Sequence, residues 1–310
     1  MKKVIIISVI VCCTFMQSRA QDKNPLFSQY MFNGLTMNPA YAGSHDVFSA
    51  SLLSRYQWIG FQGAPINYAL NLHGPGKNTK TGWGANMLYE TRGIRQTVGF
   101  YGNYAFRLTL GSGSLSMGLK AGFASEKQNQ EALNLTVDDP AFSENNSDYF
   151  LPNFGVGFYY KTRRFFAGLS VPLMLSTETN ENGTIGAHHE FSKYAYYLTA
   201  GIHIKPDIDW LITPSLLVQY QARVPVIAGA VNVMYKEVFG AGLSYRSSEA
   251  VIMLVNYRIG YQTTIGIAYD FGFSGFNQSI PDYESNRNSV EIALQIDLGF
   301  KINRSNPIIF

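Results

Sequence analysis

The sequence has almost no cysteine, little charge and no long hydrophobic run. Its two cysteines, Cys12 and Cys13, both lie within the first twenty residues. Charged residues make up 15 % of the chain, against about 25 % in an average soluble protein. No apolar segment approaches the roughly 20 residues that a membrane-spanning helix requires. These shortages exclude a disulfide-stapled fold, a thiolate metal site and a helical membrane protein.

The first twenty residues have the features of a secretory signal peptide. Lys2 and Lys3 precede an apolar run at 4–15, and Ser18 and Ala20 are small residues at the positions that a signal peptidase reads. We therefore expect cleavage near Ala20. Removal of Lys2, Lys3 and Arg19 changes 24 basic and 21 acidic residues into 21 and 21, a net charge of zero. The mature chain then has no basic excess for binding nucleic acid.

Residues 289–301 carry the pattern on which the fold prediction depends. One face of this segment is apolar and the other is polar or small; the apolar face holds Val290, Ile292, Leu294, Ile296, Leu298 and Phe300. Alternation over about ten residues is typical of a tilted strand that crosses a bilayer. Similar segments recur along the chain. We therefore predict an all-β fold, a closed antiparallel transmembrane β-barrel of about 14 strands over residues 45–301, rather than a soluble periplasmic β-protein.

The lengths of the connections support this prediction. Short turns are expected at 111–113, 161–164, 205–209, 236–237 and 258–261, whereas the longest connections all follow odd-numbered strands. Outer-membrane barrels have short periplasmic turns and longer extracellular loops. A soluble sandwich has no reason to sort its loops in this way. Closure is also required, because hydrocarbon cannot satisfy the amides of an open sheet edge.

Six short sequence strings are not explained by the alternation of side chains that a barrel requires. They are FSQYMFN (27–33), NPAYAGS (38–44), RYQWIGFQGAP (55–65), DPAF (139–142), PNFG (152–155) and GLSVP (168–172). In this order and at this spacing they resemble the PorP/SprF family of outer-membrane proteins of the type IX secretion and gliding system. The resemblance is clear from about residue 25 to residue 172, and the rest of the chain is compatible with it in strand pattern and length.

The resemblance implies a non-enzymatic barrel in the outer membrane of a Gram-negative bacterium. Members of the family are associated with export or surface anchoring of adhesins that carry a type-B C-terminal sorting domain. They also contact periplasmic type IX or peptidoglycan-linked components. The alternative is a diffusive porin or small-molecule transporter. The inward-facing side chains of the strands are small or polar, and they do not decide between the two functions.

Two aromatic segments are the predicted partner-binding sites. The irregular segment 21–44 is too rich in aromatics for a disordered leader, and we expect it to pack in or under the periplasmic mouth. The loop 57–65 concentrates aromatics among glycines, which predicts either a binding anchor or a self-packed loop core. The candidate residues are Phe27, Tyr30, Phe32, Asn38, Pro39, Tyr41, Gln57, Trp58, Phe61 and Pro65.

The sequence predicts no catalytic residue, no metal site and no cofactor. His188 and His189 precede Glu190, but adjacent residues on a strand point in opposite directions. The acidic loop 138–148 lacks the ligand order and the glycine of an EF-hand. The tail 302–310 contains Pro307, which cannot donate to a ladder, so we expect this short tail to be periplasmic.

Overall fold

The computed structural model describes residues 26–77, 79–128, 149–179, 185–188, 190–221, 224–247, 249–272 and 287–299. The predicted signal peptide (1–20), the acidic loop at 138–148, His189 and the tail (302–310) lie outside these residues. None of the helices in the described ranges has the length and hydrophobicity needed to span a bilayer.

Fourteen antiparallel strands form one closed barrel. Strand β8 has a break at His203, so it consists of two segments. The strands are β1 Phe48–Tyr56, β2 Ile66–Pro75, β3 Thr81–Arg92, β4 Arg95–Leu110, β5 Gly113–Gln128, β6 Tyr149–Lys161, β7 Phe165–Val171, β8 Tyr196–Ile202 and Ile204–Asp207, β9 Trp210–Gln221, β10 Val224–Tyr235, β11 Phe239–Arg246, β12 Ala250–Ile259, β13 Thr263–Gly272 and β14 Ser289–Leu298. A separate short hairpin pairs Ser176–Thr179 with Ile185–His188.

The first and last strands close the barrel. Strand β1 pairs with β14 along its whole length, from Phe48 opposite Leu298 to Tyr56 opposite Val290. On the far side β8 pairs with both β7 and β9. Every strand described therefore has two neighbours, as closure in hydrocarbon requires.

Side chains alternate between the lumen and the outside. In β14, Glu291, Ala293 and Gln295 are buried, whereas Ile292 and Leu298 are exposed on the outside. The same outward row continues round the barrel as an apolar band, which in a bilayer is covered by lipid. The alternation predicted for residues 289–298 is confirmed. Phe300 and Lys301 lie outside the described residues, and the strand itself ends at Leu298.

The two ends of the barrel differ. The connections after even-numbered strands, at 76–80, 111–112, 162–164, 208–209, 236–238 and 260–262, define the short-turn end. The opposite, long-loop end holds the longest connections, at 57–65, 129–148, 172–195 and 273–288. Three connections at the long-loop end are also short, at 93–94, 222–223 and 247–249. The two ends therefore differ only in the four longest loops.

Candidate functional site

Residues 26–45, called the plug from here on, fill the lumen of the barrel. Of residues 26–44, all except Gly34 and Thr36 are buried. We expected this segment at the periplasmic mouth; in the structure it extends much further into the barrel. Its first residue, Leu26, shares a buried cluster with Leu217 and Val226, near the long-loop ends of β9 and β10.

The plug follows a chain of short helical turns rather than an extended path. These turns are Tyr30–Phe32, Gly34–Met37 and Pro39–Tyr41. The Asn38 side chain caps the last of them by accepting a hydrogen bond from the backbone N–H of Ala40 (2.9 Å). Pro39 occupies the first turn, where a missing N–H costs nothing. The compact path lets many side chains reach the wall from few residues.

Apolar side chains of the plug pack against three parts of the wall. Phe27, Met31 and Phe32 belong to a cluster with residues of β1, β2 and β12–β14. Tyr30 and Met37 join a cluster with residues of β8–β10. The third cluster unites Leu35, Ala40, Tyr41 and Ala42 with residues of β4, β6 and β7. The plug therefore has its own hydrophobic core with the barrel, which is the usual source of packing stability.

Glycines in the wall provide the space for the plug backbone. A Cβ added to Gly118 of β5 would come closer than 3.0 Å to the Ala40 backbone, and one on Gly82 of β3 would do the same at Ala42. On β6, a Cβ at Gly157 would clash with the side chain of Asn38. Glycine weakens a strand interior unless another group approaches closely. Here the close approach is the plug.

The half of the plug nearer the short-turn end is held by hydrogen bonds from the wall to its carbonyl groups. Ser170 donates to the Met37 carbonyl (2.6 Å) and Lys120 to the Thr36 carbonyl (2.8 Å). Arg107 donates to the Ala42 carbonyl (3.1 Å). Charged and hydroxyl donors thus satisfy backbone oxygens that would otherwise be buried without a partner.

The other half is held by charged residues. The Glu291 carboxylate accepts hydrogen bonds from the backbone N–H groups of Ser28 (2.6 Å) and Gln29 (2.8 Å). Arg55 lies 3.3 Å from the same carboxylate. Glu291 is fully buried and Arg55 is 2 % exposed. A carboxylate that accepts two consecutive N–H groups fixes the chain more strongly than neutral hydrogen bonds would.

The Ser28 hydroxyl lies at the centre of this group. It donates to the Asp270 carboxylate (2.8 Å), and it accepts hydrogen bonds from Arg55 and from Arg246. Arg55 also pairs with Asp270 at 2.7 Å. We call Ser28, Arg55, Arg246, Asp270 and Glu291 the Ser28 cluster. Its two guanidinium groups and two carboxylates balance in charge, as buried ions must.

A serine, a histidine and an aspartate meet near the short-turn end without forming a catalytic triad. His45 Nδ1 lies 2.8 Å from Ser49 Oγ and 3.2 Å from Asp297 Oδ1, and Ser49 donates directly to that carboxylate (2.5 Å). A triad needs the hydroxyl and the carboxylate on different ring nitrogens. Here both lie on one nitrogen, and the other nitrogen meets the Tyr41 hydroxyl at 2.9 Å. The arrangement therefore ties the plug to the wall.

The loop 57–65, called the aromatic loop, lies at the long-loop end. Trp58 and Phe61 are 45 % and 43 % exposed, with ring centroids 6.3 Å apart, and Ile59 between them is also exposed. Trp58 has a positive φ of 46°, an unusual conformation for a bulky residue. A hydrogen bond from the Ile59 N–H to the Asn288 carbonyl (3.0 Å) holds the loop against the segment before β14.

The structure divides the ten candidate residues into two groups. Six of them lie in the plug and are buried against the wall, so they present no free surface to a partner; they are Phe27, Tyr30, Phe32, Asn38, Pro39 and Tyr41. In the aromatic loop Trp58 and Phe61 are exposed, Gln57 is half-buried and Pro65 is buried.

Sequence reasoning missed four members of the Ser28 cluster. These are Ser28, Arg55, Arg246 and Asp270, whereas the inward position of Glu291 followed from alternation. An available signal was the inward register of Arg55, because a charge on that row needs a partner in the lumen. Within the described ranges, no group of three or more His, Cys, Asp and Glu side chains is arranged to hold a metal ion.

Comparisons with known proteins agree with the barrel fold. No curated protein matches the chain. A solved structure of the CymD monoaromatic hydrocarbon channel is similar with a TM-score of 0.53 at 12 % identity, covering 89 % of this chain and 95 % of that chain. The P. putida toluene transporter TodX gives 0.48 at 10 % identity, covering 87 % of this chain and 95 % of that chain. Identities this low show the fold alone.

The family comparison covers most of the chain. The family described as type IX secretion system membrane protein PorP/SprF matches residues 19–296. This range includes the plug, the aromatic loop and all but the last residues of β14. The chain therefore belongs to the PorP/SprF family of type IX secretion system membrane proteins.

Proposed function

We propose that this type IX secretion barrel binds a secreted or surface adhesin with a type-B C-terminal sorting domain and anchors it at the cell surface. The observation that carries the proposal is the exposed apolar group Trp58, Ile59 and Phe61 at the long-loop end. Aromatic side chains held on a fixed loop are the residues that most often dominate protein–protein binding. These three residues extend beyond the strands, at the mouth of the barrel.

A filled lumen favours anchoring over passage of the adhesin through this barrel. The plug occupies the interior on a path that contacts most of the wall strands. Beside it, between Met31, Leu35 and His73, lies a cavity of about 10 Å³, roughly the volume that one water molecule requires. A polypeptide cannot pass a lumen filled in this way, so a bound adhesin would be held at the outer mouth.

The alternative function, a diffusive porin or small-molecule transporter, requires a lumen that solutes can cross. The buried state of the plug argues against it, since an open pore would leave these residues in contact with water. Periplasmic type IX or peptidoglycan-linked components are the second class of partner that we propose. The short-turn end is the surface available to them.

The test is affinity purification from native outer membranes, with and without a crosslinker, followed by mass spectrometry. We expect the unmodified protein to recover a secreted adhesin. We expect the double variant Trp58→Ala/Phe61→Ala to lose it, because truncation of an aromatic anchor costs about 2 kcal/mol or more, which is about a thirtyfold loss of affinity. Tyr261→Ala, which removes a 71 % exposed ring at the short-turn end, is the matched control.

Two results would contradict the proposal. One is that the unmodified barrel recovers neither an adhesin nor a periplasmic component. The other is that the aromatic-loop variant recovers as much adhesin as the Tyr261→Ala control. A steady conductance of the unmodified barrel in a planar bilayer would favour the porin instead.

A further inference from the structure

The direction in which the plug runs through the barrel has a consequence for the topology of the chain. At its start, the plug backbone at Ser28 is bound by Glu291, which pairs with Arg55 one residue from the long-loop end of β1. At its finish, Ala42 lies against Gly82 at the short-turn end of β3. The chain thus enters the lumen at the long-loop end and leaves it at the short-turn end, where it turns back into β1.

The contacts at the two ends fix this direction. Near the start, Asp270 lies two residues from the long-loop end of β13, and Arg246 is the last residue of β11 at the same end. Both side chains contact the Ser28 hydroxyl. Near the finish, Asp46 pairs with Arg107 (2.8 Å) and with Lys161 (3.3 Å), both close to the short-turn end. A reversed plug would lose each of these pairs and leave the buried charges without partners.

The loop lengths orient the barrel in the membrane. Long connections face the cell exterior in this class of barrel, and short turns face the periplasm. We propose that the plug is threaded from the cell-surface mouth, where the Ser28 cluster latches it, so that its first residue, Leu26, lies at the outer mouth of the barrel. The start of the plug is then on the same side of the membrane as the aromatic loop. This topology does not depend on whether that loop binds an adhesin.

Threading in this direction also constrains assembly. An outer-membrane barrel assembles from the periplasm, yet the start of the plug lies at the outer mouth. The plug must therefore enter the lumen while the barrel is still open or closing, since β1 pairs with β14 only when the last strand is in place. The Ser28 cluster, which unites the plug with β1, β11, β13 and β14, forms only at that final stage.

Cysteine labelling on intact cells tests the proposal. The only native cysteines are Cys12 and Cys13; both are replaced by serine in every variant, so that a single introduced thiol reports its own position. Asn24→Cys is the test variant, because two residues span at most about 7 Å from Leu26. Gln62→Cys in the aromatic loop and Ser112→Cys in a short turn are controls for the two ends; both side chains are exposed. The probe is a membrane-impermeant maleimide.

We expect Asn24→Cys and Gln62→Cys to react on intact cells, and Ser112→Cys to react only after the outer membrane is permeabilised. Labelling of Asn24→Cys only after permeabilisation, together with Ser112→Cys, would overturn the proposal. Failure of Asn24→Cys to react in either state would overturn it as well, because the residue would not be presented outside. The unmodified protein, treated in parallel, gives the background.

Discussion

Replacement of Glu291 by glutamine tests whether the Ser28 cluster keeps the plug in place. The Glu291 carboxylate accepts two backbone N–H groups of the plug, at 2.6 and 2.8 Å, and lies 3.3 Å from Arg55. Glutamine has nearly the same shape but no charge, and one of its two terminal atoms is a donor that faces other donors. Arg55 and Arg246 would then be balanced by Asp270 alone at the centre of the cluster.

The expected cost is large. The pairing of Arg55 with Glu291 joins two wall strands and is present whether or not the plug is seated. What the seated state loses is a charge-assisted hydrogen bond to a buried N–H of the plug, which contributes about 1.5–3 kcal/mol. Because the plug-to-Glu291 hydrogen bonds exist only while the plug is seated, this cost falls on the seated state. The ratio of seated to unseated plug should fall correspondingly, by roughly tenfold to a hundredfold.

Planar-bilayer recording is the assay. We expect the unmodified protein to be silent, Glu291→Gln to show intermittent openings, and a variant that lacks residues 26–45 to conduct steadily. Glu190→Gln is the matched control, because Glu190 is 53 % exposed and pairs with Lys193 at 3.0 Å on the surface. An exposed pair of this kind contributes about 0–1 kcal/mol. A heat-dependent gel shift should show that each barrel is still folded.

The outcome can refute each step separately. Glu291→Gln barrels as silent as the unmodified ones, beside a conducting plug deletion, would show that the cluster is not the latch. A silent plug deletion would show that the plug is not what closes the lumen.

Two substitutions test the packing of the plug. Gly118→Ala places a Cβ within 3.0 Å of the Ala40 backbone, whereas the Cβ of Gly229→Ala meets nothing within 4 Å. We expect Gly118→Ala to lower the unfolding temperature, because overpacking costs about 1–3 kcal/mol. Gly229→Ala should leave the unfolding temperature nearly unchanged. Phe27→Ala, at a side chain only 2 % exposed, should cost about 3–5 kcal/mol and increase protease cleavage within the plug. Equal melting of the two glycine variants, or a protease-resistant Phe27→Ala barrel, would contradict the packing described for the plug.

The barrel could be predicted from the sequence because lipid imposes a period of two on every strand. The fourteen strands agree with the predicted number of about 14. Strands β4 and β5 extend to Arg95 and Gln128 at their long-loop ends. The ladder persists there without apolar alternation, as in the pair Thr97 and Glu126. Hydrogen bonding between strands does not need lipid, so hydrophobic pattern alone underestimates strand length.

The plug could be predicted only in part. Aromatic density predicts that the segment packs against the barrel, and residues 26–44 are largely buried, but it does not indicate how deep in the lumen they lie. Strand alternation tells which residues face the lumen and not what fills it. The contact between Ser28 and Glu291 joins residues 263 positions apart, and no local pattern relates them. The sequence also predicts Phe27 and Tyr41 as partner-binding residues, because a buried aromatic and a binding aromatic look alike in sequence; in the structure both are buried.

Two of the strings that carry the family resemblance are explained by the packing of the plug against the wall. FSQYMFN and NPAYAGS, at 27–33 and 38–44, both lie in the plug. Their residues meet wall groups that would tolerate little change. The Ser28 hydroxyl meets three charged side chains, and Ala40 meets Gly118 with no room for a Cβ between them. These strings therefore identify a plugged barrel and not its cargo. Under the proposed function, discrimination between adhesins has to come from surfaces that the plug leaves free, of which the aromatic loop is one. Exchange of that loop between two barrels of the family should then change adhesin preference while the plug strings stay the same.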